Sequence, residues 1–255
     1  MKASTTITNE LLSRLNEEIA AQLVSQVPLV GEVARYTIDS GGKRLRPILL
    51  LLAANSLGYE HRRAVQLAAA IEFVHTATLL HDDVVDSSAV RRGLQTANER
   101  FGNAAAVLVG DFLYSRAFQI MVDVGESRVF RIMADATNDI SEGEVLQLSN
   151  VKNVDLTVDS YFEMIRSKTA RLFEAAAMLG GIVAGGEKGV ITNFGKYGAH
   201  IGTAFQIVDD VLDYDGAEDQ IGKKLGDDLA EGKITLPMIH ALEHGSIEDL
   251  SLIHI

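Results

Sequence analysis

Apolar residues recur at the three- and four-residue spacing of an α-helix along most of the chain. The first such set is Leu12, Leu15, Ile19 and Leu23, which predicts an amphipathic opening helix that ends near Pro28. The same pattern predicts seven further helices, over residues 48–57, 64–86, 104–122, 128–148, 160–178, 191–214 and 236–244. No linker or low-complexity segment separates these stretches, so the pattern predicts a single helical domain over residues 1–255.

The scarcity of proline supports this all-α prediction. Proline occurs three times in 255 residues, where an average chain of this length would carry about twelve. Because proline is excluded from helix interiors and common in turns, its absence from residues 48–236 favours long helices over a β architecture. Tryptophan is also absent and aromatic residues reach only 6%, which argues against an aromatic-rich β-sandwich.

Charge and cysteine content exclude several classes of function. Lysine and arginine total 23 against 35 acidic residues, a net charge of −12, so non-specific nucleic-acid binding is excluded. The absence of cysteine excludes disulfides, thiolate metal sites and a cysteine nucleophile. The N-terminus lacks the apolar core of a signal peptide, and the longest strictly apolar run has seven residues, against the ~20 that span a bilayer. We therefore expect a soluble, cytoplasmic protein without a transmembrane segment.

Two acidic motifs of the same pattern, Asp82–Asp86 and Asp209–Asp213, follow apolar helical stretches. At ~100° per residue, positions i, i+1 and i+4 of a helix fall within about 100°, so each motif is predicted to present three carboxylates on one face. A single motif would be typical of a solvated helix end, but the repeat on apolar helices indicates bound cations, because such carboxylates repel each other. Carboxylate ligands suit Mg²⁺, which shares its shell with waters and phosphates.

Basic residues cluster near these acids in the sequence. They are Lys43, Arg44 and Arg46 in a Gly-Gly loop, Arg91 and Arg92 after the first motif, Lys168 in mid-chain, and Lys223 and Lys233 after the second motif. This placement indicates phosphate binding, with ordinary surface ion pairs as the alternative for any single lysine. His75 lies two helical turns before Asp82 and can share its face, which makes it a candidate ligand, whereas His81 is interpreted as a core residue.

Eight motifs together resemble one family: GGKRLRP, LLHDDVVD, RRG, GDFLYSRAF, EGEVLQL, SKTARLFEAA, GTAFQIVDDVLDY and GDDLAEGKITLP. They are similar to the trans-isoprenyl diphosphate synthases, the polyprenyl synthetase family, and most of all to its bacterial long-chain, octaprenyl-type members. The resemblance covers residues 33–244 and implies an all-α, isoprenoid-synthase-type bundle around a deep central cavity, with the DDxxD motifs facing each other. Family members continue for several more helices and this chain ends in an apolar stub, so we expect it to be C-terminally truncated.

The resemblance also implies roles for individual residues. Two or three Mg²⁺ ions would be held by Asp82, Asp83, Asp86, Asp209, Asp210 and Asp213, and catalysis would rest on the first five of these with Lys168. The allylic diphosphate would be bound by Arg91, Lys168, Lys223 and Lys233, and isopentenyl diphosphate by Lys43, Arg46, His75 and Arg92. Thr169 and Gln206 would lie near the developing carbocation. The product would grow past Ala77 and Thr78 towards Phe118, Met121 and Met133, with core packing as the alternative for the two methionines.

The implied activity is that of a prenyltransferase. It would condense isopentenyl diphosphate sequentially onto an allylic diphosphate, expected to be farnesyl diphosphate, to give a product near octaprenyl diphosphate for the ubiquinone side chain. A homodimer is also implied. Three alternatives stay open: a shorter-chain, geranylgeranyl-type synthase, a non-catalytic synthase subunit, and a helical metal-dependent phosphohydrolase, for which His81 and Asp82 form a formal dyad.

Overall fold

The computed structural model describes residues 2–215 and 226–245, with side chains from residue 8 onwards. Within these residues it contains twelve α-helices: α1 (Lys2–Gln22), α2 (Pro28–Asp39), α3 (Leu45–Ser56), α4 (Arg62–Val85), α5 (Ala97–Phe101), α6 (Asn103–Val124), α7 (Ser127–Ser149), α8 (Val158–Ile165), α9 (Arg171–Val183), α10 (Lys188–Asp215), α11 (Asp227–Ala230) and α12 (Leu236–His244). A π-helical turn, Arg166–Ala170, joins α8 to α9. The antiparallel strands β1 (Val90–Arg91) and β2 (Leu94–Gln95) follow α4, with Val90 paired to Gln95. The all-α prediction is confirmed.

Helix α4 is the central element of the bundle. It packs against α1, α3, α6 and α9, and residues on all its sides are buried, including Leu67, Ile71, Phe73 and Leu80. A helix surrounded in this way buries apolar residues around its whole circumference, which explains the nearly continuous apolar sequence of this stretch. Its C-terminal turn carries the first acidic motif to one end of the bundle.

Helix α10 can pack closely against α9 because the contact position on α10 is a glycine, which has no side chain. A Cβ atom at Gly198 would lie 2.5 Å from the carbonyl oxygen of Phe173, so any side chain there would push the helices apart. The close approach fixes the direction of α10, whose last turns carry the second acidic motif to the same end of the bundle as the first.

Several local features differ from the sequence prediction, which also lacked the short helices α5 and α11. Helix α2 was not predicted, although Pro28 occupies its first turn and Val33, Ala34 and Ile38 form its buried face. The helix predicted over residues 160–178 is divided by the π-helical turn. The short hairpin after α4 was also missed, because strands of two residues have no detectable alternation.

In the described part of the chain, one helix, α6, is long and apolar enough to cross a membrane, judged by length and composition alone. Its most apolar window is 39% buried in the bundle. The buried side includes Val109, Leu113, Ala117 and Ile120, and the helix packs against α4. The sequence prediction of no transmembrane segment was based on the length of uninterrupted apolar runs. Helix α6 contains polar residues and so has no long run, but its mean hydropathy is high.

Candidate active site

A cavity of about 820 Å³ opens where the C-terminal turns of α4 and α10 meet. Both acidic motifs and the Gly-Gly loop contribute to its lining. Apolar side chains from α7, α9 and α10, among them Ile140, Leu172 and Phe205, line it as well. The structure therefore combines carboxylates, cations and an apolar wall in one cavity.

The first acidic motif presents two of its three carboxylates to this cavity. Asp82 and Asp86, one helical turn apart, both line it. Asp83 is buried and accepts a hydrogen bond from Arg91 Nε at 2.8 Å, and Arg91 Nη2 ion-pairs with the same carboxylate oxygen at 2.7 Å. Burial raises the pKa of Asp83, although the Arg91 charge opposes this shift. The prediction that all three carboxylates share one face is thus corrected for Asp83, because position i+1 lies about 100° away from i.

Two lysines form ion pairs with carboxylates of the first motif. Lys168 Nζ is 2.5 Å from Glu144 Oε2 and 3.5 Å from Asp82 Oδ2, and Lys233 Nζ is 2.6 Å from Asp86 Oδ2. Although burial opposes the charge on Lys233, its hydrogen bonds to Asp86 and Glu231 raise the pKa of the amine. Both predicted lysines are therefore at the cavity.

One predicted ligand, Lys223, lies outside the described residues. Two cavity residues that we had not singled out, Glu144 and Gln147, receive hydrogen bonds from Lys168 at 2.5 and 2.7 Å. Burial and the nearby charge of Asp82 raise the pKa of Glu144 to about 7. Both residues belong to the EGEVLQL motif, so this motif was the feature of the sequence from which they could have been predicted as site residues.

The Gly-Gly loop brings a second group of cations to the cavity. Lys43, Arg46 and Arg92 line it, together with His75 on α4. A Cβ atom at Gly42, whose φ is +151°, would lie 2.8 Å from Arg92 Nη1, so this glycine lets the guanidinium lie directly against the loop. Arg44 ion-pairs with buried Glu72 and donates to the Ile38 carbonyl oxygen at 2.6 Å, which attaches the loop to α2 and α4.

His75 and Arg46 are in contact, with Nε2 of the imidazole 3.2 Å from Nη1 of the guanidinium. Burial, followed by the charges of Arg46 and neighbouring arginines, lowers the pKa of His75 well below its usual range, so the imidazole is neutral. Burial also lowers the pKa of Arg46 to about 10, while Glu72 and Asp209 oppose this shift. Arg46 lies 4.4 Å above the centre of the Phe173 ring.

The second acidic motif has a different arrangement. Asp209 and Asp210 line the cavity, but Asp210 is buried and accepts hydrogen bonds from Tyr161 and Gln206. Asp213 is buried as well and accepts a hydrogen bond from the backbone N–H of Asp228 at 3.2 Å, in the first turn of α11. The prediction of three carboxylates on one face is therefore corrected for Asp213, which turns towards α11.

The π-helical turn presents Lys168 and Thr169 to the cavity side by side. Thr169 Oγ1 donates a hydrogen bond to Gln206 Oε1 at 2.7 Å, so the two residues predicted to lie near the carbocation are in contact. Such π-helical turns are often found at functional sites, since they rotate the following residues relative to an α-helix.

The five residues predicted to set product length fall into two groups. Thr78 lines the cavity. Ala77, Met121 and Met133 are fully buried in the main hydrophobic core, and Phe118 is half-buried against it. The structure therefore places only Thr78 of this set on the described cavity wall, and the roles of the other four stay predictions.

The carboxylates that line the cavity are suited to a hard cation. Among the described residues, no three carboxylate or imidazole groups converge closely enough to hold an ion alone. Asp82 and Asp86 at the end of one helix and Asp209 on another nevertheless place carboxylate oxygens at the same cavity as the cations predicted to bind phosphate. This ligand set fits Mg²⁺, which keeps several waters and completes its shell with substrate phosphates.

Comparisons with known proteins agree with this site. The sequence model of the family named Polyprenyl synthetase matches residues 27–254. Octaprenyl diphosphate synthase from Escherichia coli (strain K12) is 52% identical over 247 residues, which are 97% of this chain and 76% of that protein.

Two solved structures have the same fold. A polyprenyl synthase from Caulobacter crescentus CB15, complexed with calcium and isoprenyl diphosphate, superposes with a TM-score of 0.94 at 41% identity over 98% of this chain and 76% of its own. A decaprenyl diphosphate synthase from Rhodobacter capsulatus gives a TM-score of 0.90 at 46% identity, over 97% of this chain and 77% of its own. The resemblance found in the sequence is thereby confirmed, and the chain belongs to the polyprenyl synthetase family.

Proposed function

We propose that the protein catalyses, in this cavity, the sequential condensation of isopentenyl diphosphate with an allylic diphosphate. Farnesyl diphosphate is the primer, and the product is close to octaprenyl diphosphate, which supplies the ubiquinone side chain. Membership of the family makes the chain a prenyltransferase. The observation that carries the proposal is that both acidic motifs and the basic Gly-Gly loop line one cavity of about 820 Å³. The name of the E. coli relative, octaprenyl diphosphate synthase, supports the long product.

The metal is Mg²⁺ in this proposal, as two or three ions held by Asp82, Asp86 and Asp209. Asp83, Asp210 and Asp213 would orient the first three, because each is buried and hydrogen-bonded within the protein. When bound, Mg²⁺ stabilises the negative charge that develops on the departing diphosphate. The calcium and isoprenyl diphosphate in the C. crescentus structure support a divalent-cation site in this family.

The allylic diphosphate would lie on the side of the lysines. Lys168 and Lys233 have their ammonium groups beside Asp82 and Asp86, so they are placed to bind the diphosphate oxygens when these enter the cavity. Arg91, fixed by Asp83, adds positive charge nearby, and Lys223 completes the predicted set. The allylic C–O bond then breaks with its electron pair on the diphosphate, whose charge these groups stabilise.

Isopentenyl diphosphate would bind on the opposite side, at Lys43, Arg46 and Arg92. Because Arg46 can only donate, His75 accepts through Nε2 and carries its proton on Nδ1, which can donate to a phosphate oxygen. The double bond of isopentenyl diphosphate attacks the allylic cation, and the proton that is then lost passes to the released diphosphate. The apolar wall excludes water, which would otherwise capture the cation.

The phosphohydrolase alternative is not favoured by the position of His81. Its imidazole faces α6, where Nε2 lies 3.2 Å from the Val107 carbonyl oxygen and 3.4 Å from Asp111 Oδ1. Asp82, the next residue, lines the cavity. The two residues therefore point in different directions and do not form one metal site.

The test is incubation of the protein with Mg²⁺, farnesyl diphosphate and labelled isopentenyl diphosphate, with an EDTA-treated sample as the control. Chromatography should show a ladder of prenyl diphosphates that ends near eight isoprene units. Termination at four units would favour a geranylgeranyl-type synthase. Release of phosphate without elongation would favour the hydrolase, and an absence of any reaction would favour a non-catalytic subunit.

We also propose that the protein is a cytoplasmic homodimer. Helix α6 leaves Leu108 and Val122 67% and 61% exposed on the side away from α4, a surface that a second copy could cover. Light scattering should give twice the 27.6 kDa mass of the chain. The double variant Leu108→Glu/Val122→Glu should give the monomer mass, and an unchanged dimer would exclude this face.

A further inference from the structure

Four side chains form an unbroken series of hydrogen bonds along the cavity wall. Tyr161 OH donates to Asp210 Oδ2 at 2.5 Å, Gln206 Nε2 donates to Asp210 Oδ1 at 2.7 Å, and Thr169 Oγ1 donates to Gln206 Oε1 at 2.7 Å. Asp210 and Thr169 are buried, and Tyr161 is completely buried. The series joins α8, the π-helical turn and α10.

The series fixes which end of the Gln206 amide faces which neighbour. An ionised carboxylate only accepts hydrogen bonds, so the NH₂ group of Gln206 must face Asp210. The amide oxygen is therefore left for Thr169. Both residues line the cavity, where the family resemblance places them near the developing allylic cation. A carbonyl oxygen stabilises positive charge at this position, whereas an NH₂ group would oppose it.

Asp210 in turn needs a partner that holds it in place. Its second oxygen receives the phenol of Tyr161, which packs in a separate hydrophobic cluster with Met164, Ile165 and Ile234. A side chain fixed by packing in this way is a rigid support for the residue that it contacts. Asp209, the adjacent residue on α10, lines the cavity, so neighbouring aspartates of one motif have separate surroundings.

We propose that Tyr161 is a positioning residue that acts through Asp210 to hold the Gln206 amide with its oxygen towards the allylic cation. Asp210 then orients Gln206 and is not a metal ligand. This inference rests on the proposed function, since it assigns these residues to the cation formed in that reaction. It explains why the hydroxyl of a completely buried tyrosine donates to a carboxylate of the second motif.

Misorientation of Gln206 should leave the cation exposed to capture by water. The C–O bond to diphosphate still breaks with its electron pair on the diphosphate. A water oxygen then adds to the carbon, a proton passes to solvent, and an allylic alcohol forms. The fraction of allylic substrate converted to alcohol is therefore a readout that a general loss of stability would not change.

Tyr161→Phe removes the hydroxyl and keeps the ring. We expect kcat to fall about tenfold and the alcohol fraction to rise, with both Michaelis constants and the Mg²⁺ requirement within about twofold of wild type. Asp210→Asn should have a larger effect, about 10²–10³-fold in kcat, because a neutral amide with one donor end no longer fixes the NH₂ group of Gln206 towards position 210. The kcat of the double variant should be no lower than that of Asp210→Asn, because both substitutions act through the same hydrogen bond to Gln206.

Tyr214→Phe is the matched control. Tyr214 is a second tyrosine near the second motif, half-buried where Tyr161 is completely buried, and its hydroxyl lies 3.5 Å from Thr235 Oγ1. It should keep the wild-type kcat and alcohol fraction. If Tyr161→Phe does not fold, Asp210→Asn, which keeps the buried phenol, decides the question by the same readouts.

Three results would overturn the inference. They are a wild-type alcohol fraction in Tyr161→Phe, a raised Mg²⁺ requirement in Asp210→Asn without extra alcohol, and additive losses in the double variant. A wild-type protein that forms no product would contradict the proposed function instead. In that case, NMR exchange of the Gln206 side-chain amide protons still decides. Faster exchange in Tyr161→Phe than in Tyr214→Phe supports the inference, and equal exchange overturns it.

Discussion

The two acidic motifs have the same pattern but different surroundings. In the first, the neighbours of the carboxylates are cations: Lys168 near Asp82, Arg91 on Asp83 and Lys233 on Asp86. In the second, neutral groups donate hydrogen bonds to the buried carboxylates: Tyr161 and Gln206 to Asp210, and the backbone N–H of Asp228 to Asp213.

This difference indicates separate tasks for the two motifs. Carboxylates beside lysines that line the cavity can exchange these partners for a metal and a diphosphate, so the first motif is suited to a substrate that enters with its own charge. Buried carboxylates with neutral donors keep their positions, so the second motif is suited to orienting other groups around Asp209. The same sequence pattern thus supports binding at one helix end and positioning at the other.

The residue one turn before each motif also differs. Thr78 precedes Asp82 by four residues and Phe205 precedes Asp209 by four, and both line the cavity. Phe205 packs on Phe173, with ring centres 5.7 Å apart. The wall therefore has a small side chain on α4 and a bulky one on α10, which agrees with the prediction that the growing product extends along α4 and does not test it.

The largest expected effect is the loss of a cavity-lining carboxylate. Asp82→Asn and Asp209→Asn should each lower turnover by about 10²–10³-fold or more, because each removes a negatively charged ligand for Mg²⁺ at nearly constant shape. Steady-state kinetics and circular dichroism would measure turnover and helix content. The control is Asp111→Asn on the outer face of α6, whose side chain is 64% exposed. Near wild-type turnover in either motif variant would contradict the metal assignment.

The next effect concerns the cations at the Gly-Gly loop. Arg92→Ala and Lys43→Ala should raise the Michaelis constant for isopentenyl diphosphate about 10–100-fold, because a charge-assisted hydrogen bond contributes about 1.5–3 kcal/mol. The Michaelis constant for the allylic diphosphate should change less. Equal increases for both substrates would show that the two diphosphate sites are assigned wrongly.

A smaller effect is expected at the buried carboxylate of the first motif. Asp83→Asn should lower the free energy of unfolding by about 1–3 kcal/mol, because it leaves the Arg91 guanidinium without its charged partner. The Mg²⁺ concentration for half-maximal activity should stay close to that of wild type. Urea unfolding and a Mg²⁺ titration measure the two quantities. A raised Mg²⁺ requirement at unchanged stability would make Asp83 a metal ligand after all.

The smallest effect on rate, but a clear effect on product, is expected one turn before the first motif. Thr78→Phe gives α4 the bulky residue that α10 already has, and we expect products of about three or four isoprene units because a packed wall has no spare volume for a ring. Phe205→Leu is the control and should keep the long product. Chromatography of the products decides, and an unchanged length in Thr78→Phe would show that the product does not pass this face.

Sequence reasoning located the helices and the residues of the site better than it located their directions. Apolar periodicity predicted α4 and α10 to within a few residues, and the repeated motif marked their ends. It did not show that Asp83 turns inwards, because the partner of a side chain depends on how neighbouring helices are rotated. The π-helical turn was also invisible, since it changes the phase of Lys168 and Thr169 without changing the apolar pattern.

Some residues could be found only in the folded chain. Tyr161 looks like an ordinary core aromatic in the sequence, and its contact with Asp210 joins positions 49 residues apart. Glu144 belongs to the EGEVLQL motif, whose sequence alone does not show which of its side chains reaches the cavity. Contacts between distant segments, and not local pattern, decide the roles of both.

The central claim is that the two motifs bind an allylic diphosphate together with Mg²⁺. Isothermal titration calorimetry with an unreactive thiolo analogue of farnesyl diphosphate tests it directly, in wild type, Asp82→Asn and Asp209→Asn, with Mg²⁺ or with EDTA. We predict binding to the wild-type protein only when Mg²⁺ is present, and weaker binding in both variants. Equal binding in EDTA, or unchanged Mg²⁺-dependent binding in both variants, would contradict the account.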